Sequence, residues 1–229
     1  MQRTGSEQGF WPLLSQDEQD ALSRLGVLRD YSPGATLCLE GDPATHVFIL
    51  LVGWVKIFSV TKDGHEIVLA LRGDGEIVGE TAGETTGRRN ATIQAVVAVS
   101  TLLVGYDKFG LFLEASPGAN RAYRRVVTRK FNDADTTLRR RAVTTGGQRL
   151  AALLLDLAGR HGNAANGVIN LALPLSQEEL ASLAGTSRST VTRAFDNWRK
   201  RGLIRTRQHR ITIIDQEGLR RAAGPALMV

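Results

Sequence analysis

Of the 229 residues only one is cysteine, Cys38, six are proline, and 6% are aromatic. A single thiol excludes a disulfide framework, a CxxC redox pair and a four-thiolate zinc or iron–sulfur site. That usage fits the reducing cytoplasm. Long apolar runs are missing too: the longest, from Val47 to Val55 with Gly53 inside it, is about half the roughly 18 residues a membrane-spanning helix needs. The N-terminus is polar and does not read as a signal peptide, so neither a span nor membrane partnership is expected. His46, His65, His161 and His209 are scattered, and each reads as an ordinary turn or surface residue rather than a metal or haem ligand. No GxSxG, HExxH, Walker or dinucleotide fingerprint occurs, so the chain does not read as an enzyme.

What is present is enough apolar residue to bury a core, 42% against 23% charged, which excludes disordered and fibrous classes. Charge is the more telling quantity, because the net +6 is unevenly spread. Residues 1–120 hold 9 Lys/Arg against 15 Asp/Glu, residues 121–146 hold 8 against 2, and residues 147–229 hold 12 against 6. An acidic first half and a basic remainder point to a polyanionic partner for the second half only.

Ser15 with Glu18 has capping-box spacing and opens a short helix carrying Ala21, Leu22 and Leu25. Seven or eight short strands follow between Ala35 and Tyr106, among them 36–39, 47–51, 55–60, 66–71, 91–97 and 101–104. Asp63-Gly64 is a hairpin signal. Strands at such spacing form a closed or double-sheet architecture such as a jelly roll. Ser116-Pro117 then starts a long helix running to about Thr144. Tyr123, Val127, Phe131, Ala134, Leu138 and Ala142 make a narrow seam along it, suited to a coiled-coil-like homodimer contact. Gly146-Gly147 reads as the interruption and hinge, followed by a helix over 148–159 and a polar loop over 161–167. The fold class is α+β: a jelly-roll-like β domain (1–116), a dimerisation helix (117–145) and a second domain (146–229).

In that second domain Ser176-Gln177-Glu178-Glu179 is a capping box, Gly185-Thr186 makes a turn, and Ser187 caps a further helix. Its stripe of Val191, Ala194, Phe195 and Trp198 faces inward. Ser189 and Arg193 lie opposite the stripe, with Arg188 flanking them. Arginine can donate two hydrogen bonds to guanine O6 and N7, while Ser187, Ser189, Thr190 and Thr192 near a helix start can hold a phosphate or a base edge. Two strands beyond Gly202 enclose a basic turn with Arg207 and Arg210, a wing able to rest on a sugar-phosphate backbone.

The stretch SQEELASLAGTSRSTVTRAFDNWRKRGLI within 176–204 resembles the winged helix-turn-helix of the Crp/Fnr family of bacterial transcription regulators. Asp63 to Leu69 and Gly75 to Glu80 resemble that family's cyclic-nucleotide-binding β roll, and the domain order is also the family's. The resemblance implies a homodimeric regulator that binds an inverted repeat in double-stranded DNA and works with RNA polymerase. It places Arg188, Ser189 and Arg193 at base-reading positions, Ser189 standing where many members carry an acidic residue. It places Gly79, Glu80 and Arg89 in the phosphate cassette, Glu80 for a ribose hydroxyl and Arg89 for a cyclic phosphate, with cAMP or cGMP as effector. Asn90 departs from the usual hydroxyl residue, Glu84 adds a carboxylate, and Ala134 and Asp135 replace a hydroxyl pair that contacts adenine. Glu80 or Glu84 pairing with Arg89 in a self-satisfied pocket is the competing expectation. The alternatives to an effector-controlled DNA binder are a sensor acting through protein contacts and a regulator that needs no cyclic nucleotide.

Overall fold

The computed structural model of the chain describes residues 9–84, 87–172, 174–207 and 210–224, apart from the side chains of 83, 84, 137–141 and 161. It forms two compact units, Met1–Phe131 and Asn132–Val229. Residues 85, 86, 208 and 209 lie outside that description, as do the side chains of Glu84, Leu138 and His161.

The first unit opens with a 3-10 turn, Trp11–Leu13, and α1, Gln16–Leu25, whose Ser15–Glu18 capping box forms as its spacing predicts. Eight strands follow among the described residues: β1 (Val27–Tyr31), β2 (Thr36–Cys38), β3 (His46–Val52), β4 (Val55–Val60), β5 (Glu66–Arg72), β6 (Ile77–Val78), β7 (Thr92–Ala95) and β8 (Val99–Gly105). They pair antiparallel in two four-stranded sheets, ordered β1-β8-β3-β6 and β2-β7-β4-β5. The short helix α2 (Glu80–Glu84) sits between β6 and β7, and α3 (Tyr106–Ala115) leads into α4 (Pro117–Val143).

The apolar run that begins at Val47 is β3, and its lack of alternation has a structural cause. Val47, Phe48, Ile49 and Leu50 are all fully buried, because both faces of this strand are covered. Val47 and Ile49 pack with Phe10, Leu22, Phe109, Ala119, Ala122 and Val126 of the helical layer. Phe48 and Leu50 pack with Val55, Ile93, Ala95 and Val99 between the sheets.

This packing alters the reading of the long helix. Its first half buries Ala119, Ala122 and Val126 against its own β unit, and Tyr123 makes edge contacts with Phe10 and Phe109. Tyr123 is thus half-buried and packs against the intramolecular core, a contact that the expected seam does not include. Phe131, 75% exposed, and Ala134 remain on the surface of the chain. α4 begins where Ser116-Pro117 predicts: Ser116 Oγ accepts from Ala119 N at 3.3 Å. Glu18 reinforces it from α1, accepting from Ala119 N at 2.8 Å, from the Ser116 hydroxyl, and from Ser15 N at 2.8 Å. One carboxylate thus caps two helices.

The second unit contains the end of α4, then α5 (Gly146–His161), β9 (Asn163–Ala165), β10 (Val168–Leu171), α6 (Gln177–Ala184), α7 (Arg188–Lys200), β11 (Ile204–Arg207), β12 (Arg210–Ile213) and α8 (Gln216–Ala223). The sheet order is β11-β12-β10-β9. Two expectations are corrected here. The helix break falls at Thr144-Thr145, and Gly146-Gly147 form the first turn of α5, because Thr145 and Gln148 close a reciprocal capping box. The stretch 161–167 is not a loop: after the end of α5, residues 163–171 form a hairpin turning on Asn166 (φ 52°) and Gly167 (φ 76°). Asn-Gly is the strongest two-residue hairpin signal, and here it adds two strands to the wing sheet.

Candidate DNA interface and effector site

α6 is short because Ser176 caps it, with Glu179 N donating to Ser176 Oγ at 3.1 Å, and Gly185 ends it. Thr186-Ser187 complete the turn, and Ser187 caps α7, its Oγ accepting from Thr190 N at 3.2 Å. Val191, Phe195 and Trp198 are buried on one side of α7, each worth about 1.5–3 kcal/mol in fixing which side faces out. Ser189 and Arg193 lie on the opposite side, with Arg188 and Ser187 at the exposed start of the helix and Thr192 on its flank, all exposed. Thr190 is half-buried, bonds to Ser187 Oγ at 2.9 Å and turns toward α5, so it is less available than the spacing predicts. On the wing, Arg207 and Arg210 are exposed and stand directly across from one another. Arg199 donates to Thr206 Oγ1 at 3.0 Å and joins the end of α7 to the first wing strand.

Three contributors to this interface have no signal in a single sequence. Arg149 of α5 donates to Ala184 O at 2.9 Å, to Gly185 O at 2.8 Å and to Thr144 O, so one guanidinium holds the helix-turn-helix turn and the end of the long helix together. The other two are Gln177 and Glu178 in the first turn of α6. Their side chains reach Thr192 and Arg188 of α7.

In the first unit, Gly79 follows the end of β6, and its φ of +79° and carbonyl set the cassette. A Cβ there would lie 2.4 Å from Arg89 Nη1; only glycine fits. Arg89 is 3% exposed. Its Nη1 donates to Gly79 O at 3.2 Å, its Nη2 donates to His46 O at 2.8 Å, and its guanidinium lies 5.1 Å from the Phe48 ring centroid. Tyr106 donates its hydroxyl hydrogen to the same Gly79 carbonyl. Arg89 Nε and His46 Nε2 are buried and find no hydrogen-bond partner among the described residues. Burial, with the Arg89 and then the Arg29 charge, holds His46 below the ordinary imidazole range.

Glu80, also buried, does not pair with Arg89 as expected for a self-satisfied pocket. It takes Lys130 of α4 instead, at 2.7 Å, while Lys130 also donates to Ile77 O at 2.6 Å. Burial pushes the Lys130 ammonium down and the Glu80 carboxylate pulls it back up. Asn90 is exposed and its amide reaches Thr81 Oγ1 at 3.5 Å, the edge of hydrogen-bond range. Gly79, Glu80, Arg89 and Asn90 thus come together, while Asp135 lies on the part of α4 that belongs to the second unit. The donor set suits a small anion: a phosphate would replace two neutral carbonyls as the Arg89 acceptors and add the attraction of opposite charges and a bidentate geometry.

Residues 28–116 match the cyclic nucleotide-binding domain family, and residues 148–222 match the Crp-like helix-turn-helix domain family. A CRP-like cAMP-activated global transcriptional regulator of Mycobacterium tuberculosis is 30% identical over 194 residues, 85% of this chain and 87% of that protein. The chain belongs to the Crp/Fnr family of transcription regulators. Another relative of this Crp/Fnr chain, the transcriptional activator FnrA of Stutzerimonas stutzeri, is 26% identical, covering 93% and 88% of the two chains. The fold of the regulator is also that of a CooA mutant from Carboxydothermus hydrogenoformans, with a TM-score of 0.75 at 23% identity and coverage of 94% and 96%. A c-di-GMP-responsive regulator, CLP of Xanthomonas campestris, gives 0.73 at 22% identity, covering 87% and 99%. This family member is an effector-controlled DNA-binding regulator and not an enzyme. Among its described residues no helix is long and apolar enough to cross a membrane.

Proposed function

We propose that two copies of this regulator pair through the exposed stripe of α4 around Phe131 and Ala134, and bind an inverted-repeat operator with one α7 in each of two successive major grooves. The observation that carries this reading is α7 itself. Its buried side fixes the helix, and its exposed side gathers Arg188, Ser189 and Arg193. Recognition helices on a two-fold axis reach half-sites about 34 Å apart. Residues 1–116, 117–145 and 146–229 serve as sensor, dimer helix and DNA-binding domain, with RNA polymerase as a further partner in the cytoplasm.

The effector of the β unit is a cyclic nucleotide, its phosphate on Arg89 and its ribose hydroxyl on Glu80. Support comes from the buried, partly unsatisfied Arg89 guanidinium and from the cyclic nucleotide-binding match. Since Lys130 reaches Glu80 from α4, a ligand that competes for that carboxylate biases the long helix, and coupling of this kind is typically about 1–3 kcal/mol. A second reading, DNA binding with no cyclic nucleotide, is favoured by Asn90 in the hydroxyl position and by the carbonyls that already hold Arg89.

Titration calorimetry with cAMP and cGMP on the native chain and on Arg89→Ala decides between them. Heat that disappears in Arg89→Ala supports the first; no heat with either nucleotide refutes it. For the interface, Arg193→Ala is expected to lower discrimination between operator and random duplex by about 1–3 kcal/mol. An equal loss on both duplexes removes Arg193 from the base-reading set.

A further inference from the structure

The first turn of α6 reaches across to the exposed side of α7. Glu178 Oε1 accepts from Arg188 Nη1 at 3.1 Å, and Gln177 Oε1 accepts from the Thr192 hydroxyl at 2.7 Å. The two side chains of the ion pair are 69% and 71% exposed, and pairs so exposed add almost nothing to folding stability. Their placement matters for another reason: Arg188 stands at the start of the helix that faces DNA, where a phosphate and a base edge compete for it.

An arginine has five N–H donors in one rigid plane. Glu178 engages Nη1 and leaves the other donors of the fork able to meet guanine O6 and N7, with the plane already oriented. For a phosphate the balance differs. Arg188 would exchange one anion for another and gain little, and the Glu178 carboxylate would be repelled by the phosphate chain. Ser189 brings no carboxylate beside Arg188, and the carboxylate of Asp196 pairs with Arg199.

We infer that Glu178 is a specificity-determining residue of the DNA interface, one that orients Arg188 toward base edges and weakens its attraction to phosphate, so that duplexes lacking the right base gain less. The inference rests on α7 being the DNA-contacting helix. Gln177 acts alongside it by holding Thr192.

The test uses the full chain as native protein, Glu178→Gln, Arg188→Ala and the double variant. Fluorescence anisotropy is read on a duplex selected by the native protein from a randomised pool, and on a scrambled duplex, between 50 and 200 mM salt. Each phosphate contact contributes a slope of about −0.9 in log affinity against log salt, roughly a 3.5-fold change over that range. Glu178→Gln is expected to bind the scrambled duplex more tightly with a slope steeper by about one such contact, to narrow discrimination about threefold, and to leave the melting temperature unchanged. With Arg188 absent, the same substitution is expected to do less. Unchanged discrimination, a lowered melting temperature, or an equal gain with and without Arg188 overturns the inference. A native protein with no salt-dependent duplex binding refutes instead the assignment of α7 to DNA.

Discussion

Replacing Gly146 and Gly147 one at a time by alanine separates a hinge from a packed helix start. Both glycines lie in the first turn of α5, and alanine in place of glycine in a helix is worth about 0.5–1 kcal/mol of stabilisation. Around Gly147 nothing lies within 4 Å of an added Cβ, so alanine there should stabilise by up to that amount, less than in a helix interior because the position is in the first turn. Around Gly146 the added Cβ would lie 2.0 Å from Thr186 Oγ1, 2.8 Å from Thr186 Cβ and 3.2 Å from Thr190 Cγ2. Rotating the Thr186 side chain moves Oγ1 but not Cβ. The backbone of the helix-turn-helix turn has to shift, and overpacking of this kind typically costs about 1–3 kcal/mol. The net effect of Gly146→Ala is therefore a loss of up to about 2.5 kcal/mol, opposite in sign to its neighbour. Urea denaturation followed by Trp198, in a background with Trp11 and Trp54 replaced by Phe, reads the midpoint of the unit that carries both glycines. Because Thr186 precedes the cap of α7, Gly146→Ala should also weaken operator binding, and Gly147→Ala should leave it intact. Equal midpoint shifts of the same sign would show a flexible glycine pair and refute the reasoning.

Lys130→Met leaves the buried Glu80 carboxylate without its partner and should cost about 3–5 kcal/mol, whereas adding Glu80→Leu should restore much of the loss; denaturation of the single and double variants gives the coupling, and equal costs would remove the pair from the account. Hydrogen bonds from Ser116, and from Ser15 and Ala119, hold the Glu18 carboxyl below its ordinary value. Its contribution is complete above about pH 4.5 and is lost as pH falls through the lower native value, so Glu18→Gln should flatten the acid limb of the stability curve relative to the native chain. An identical acid limb would show that Glu18 does not titrate across the two helix starts. Arg207→Ala should weaken binding to every duplex alike and lower the salt slope by about one contact; a loss confined to the selected duplex would make Arg207 a base reader.

Local chemistry decided much of this protein. The boundaries of α1, α6 and α7 follow from Ser15, Ser176 and Ser187 because a hydroxyl cap acts within three residues of itself, and the inward face of α7 follows from the 3.6-residue period of Val191, Phe195 and Trp198. The segmental charge likewise marked the basic end of the chain without coordinates. Asn166-Gly167 is an equally local signal for the hairpin, although the Gly, Asn and Ala around it read as a loop. Other features could not be read this way, because their partners are far apart in sequence. Gly146 looks like a hinge until Thr186 is placed against it. Tyr123 looks like an intermolecular knob until Phe10 and Phe109 surround it. Glu80 looks like the neighbour of Arg89, yet Lys130, fifty residues on, neutralises it. Side-chain chemistry along the chain says which residues can cap, bury or carry charge. Which charge meets which follows from packing alone, because pairing depends on distances set by how the sheets and helices come together.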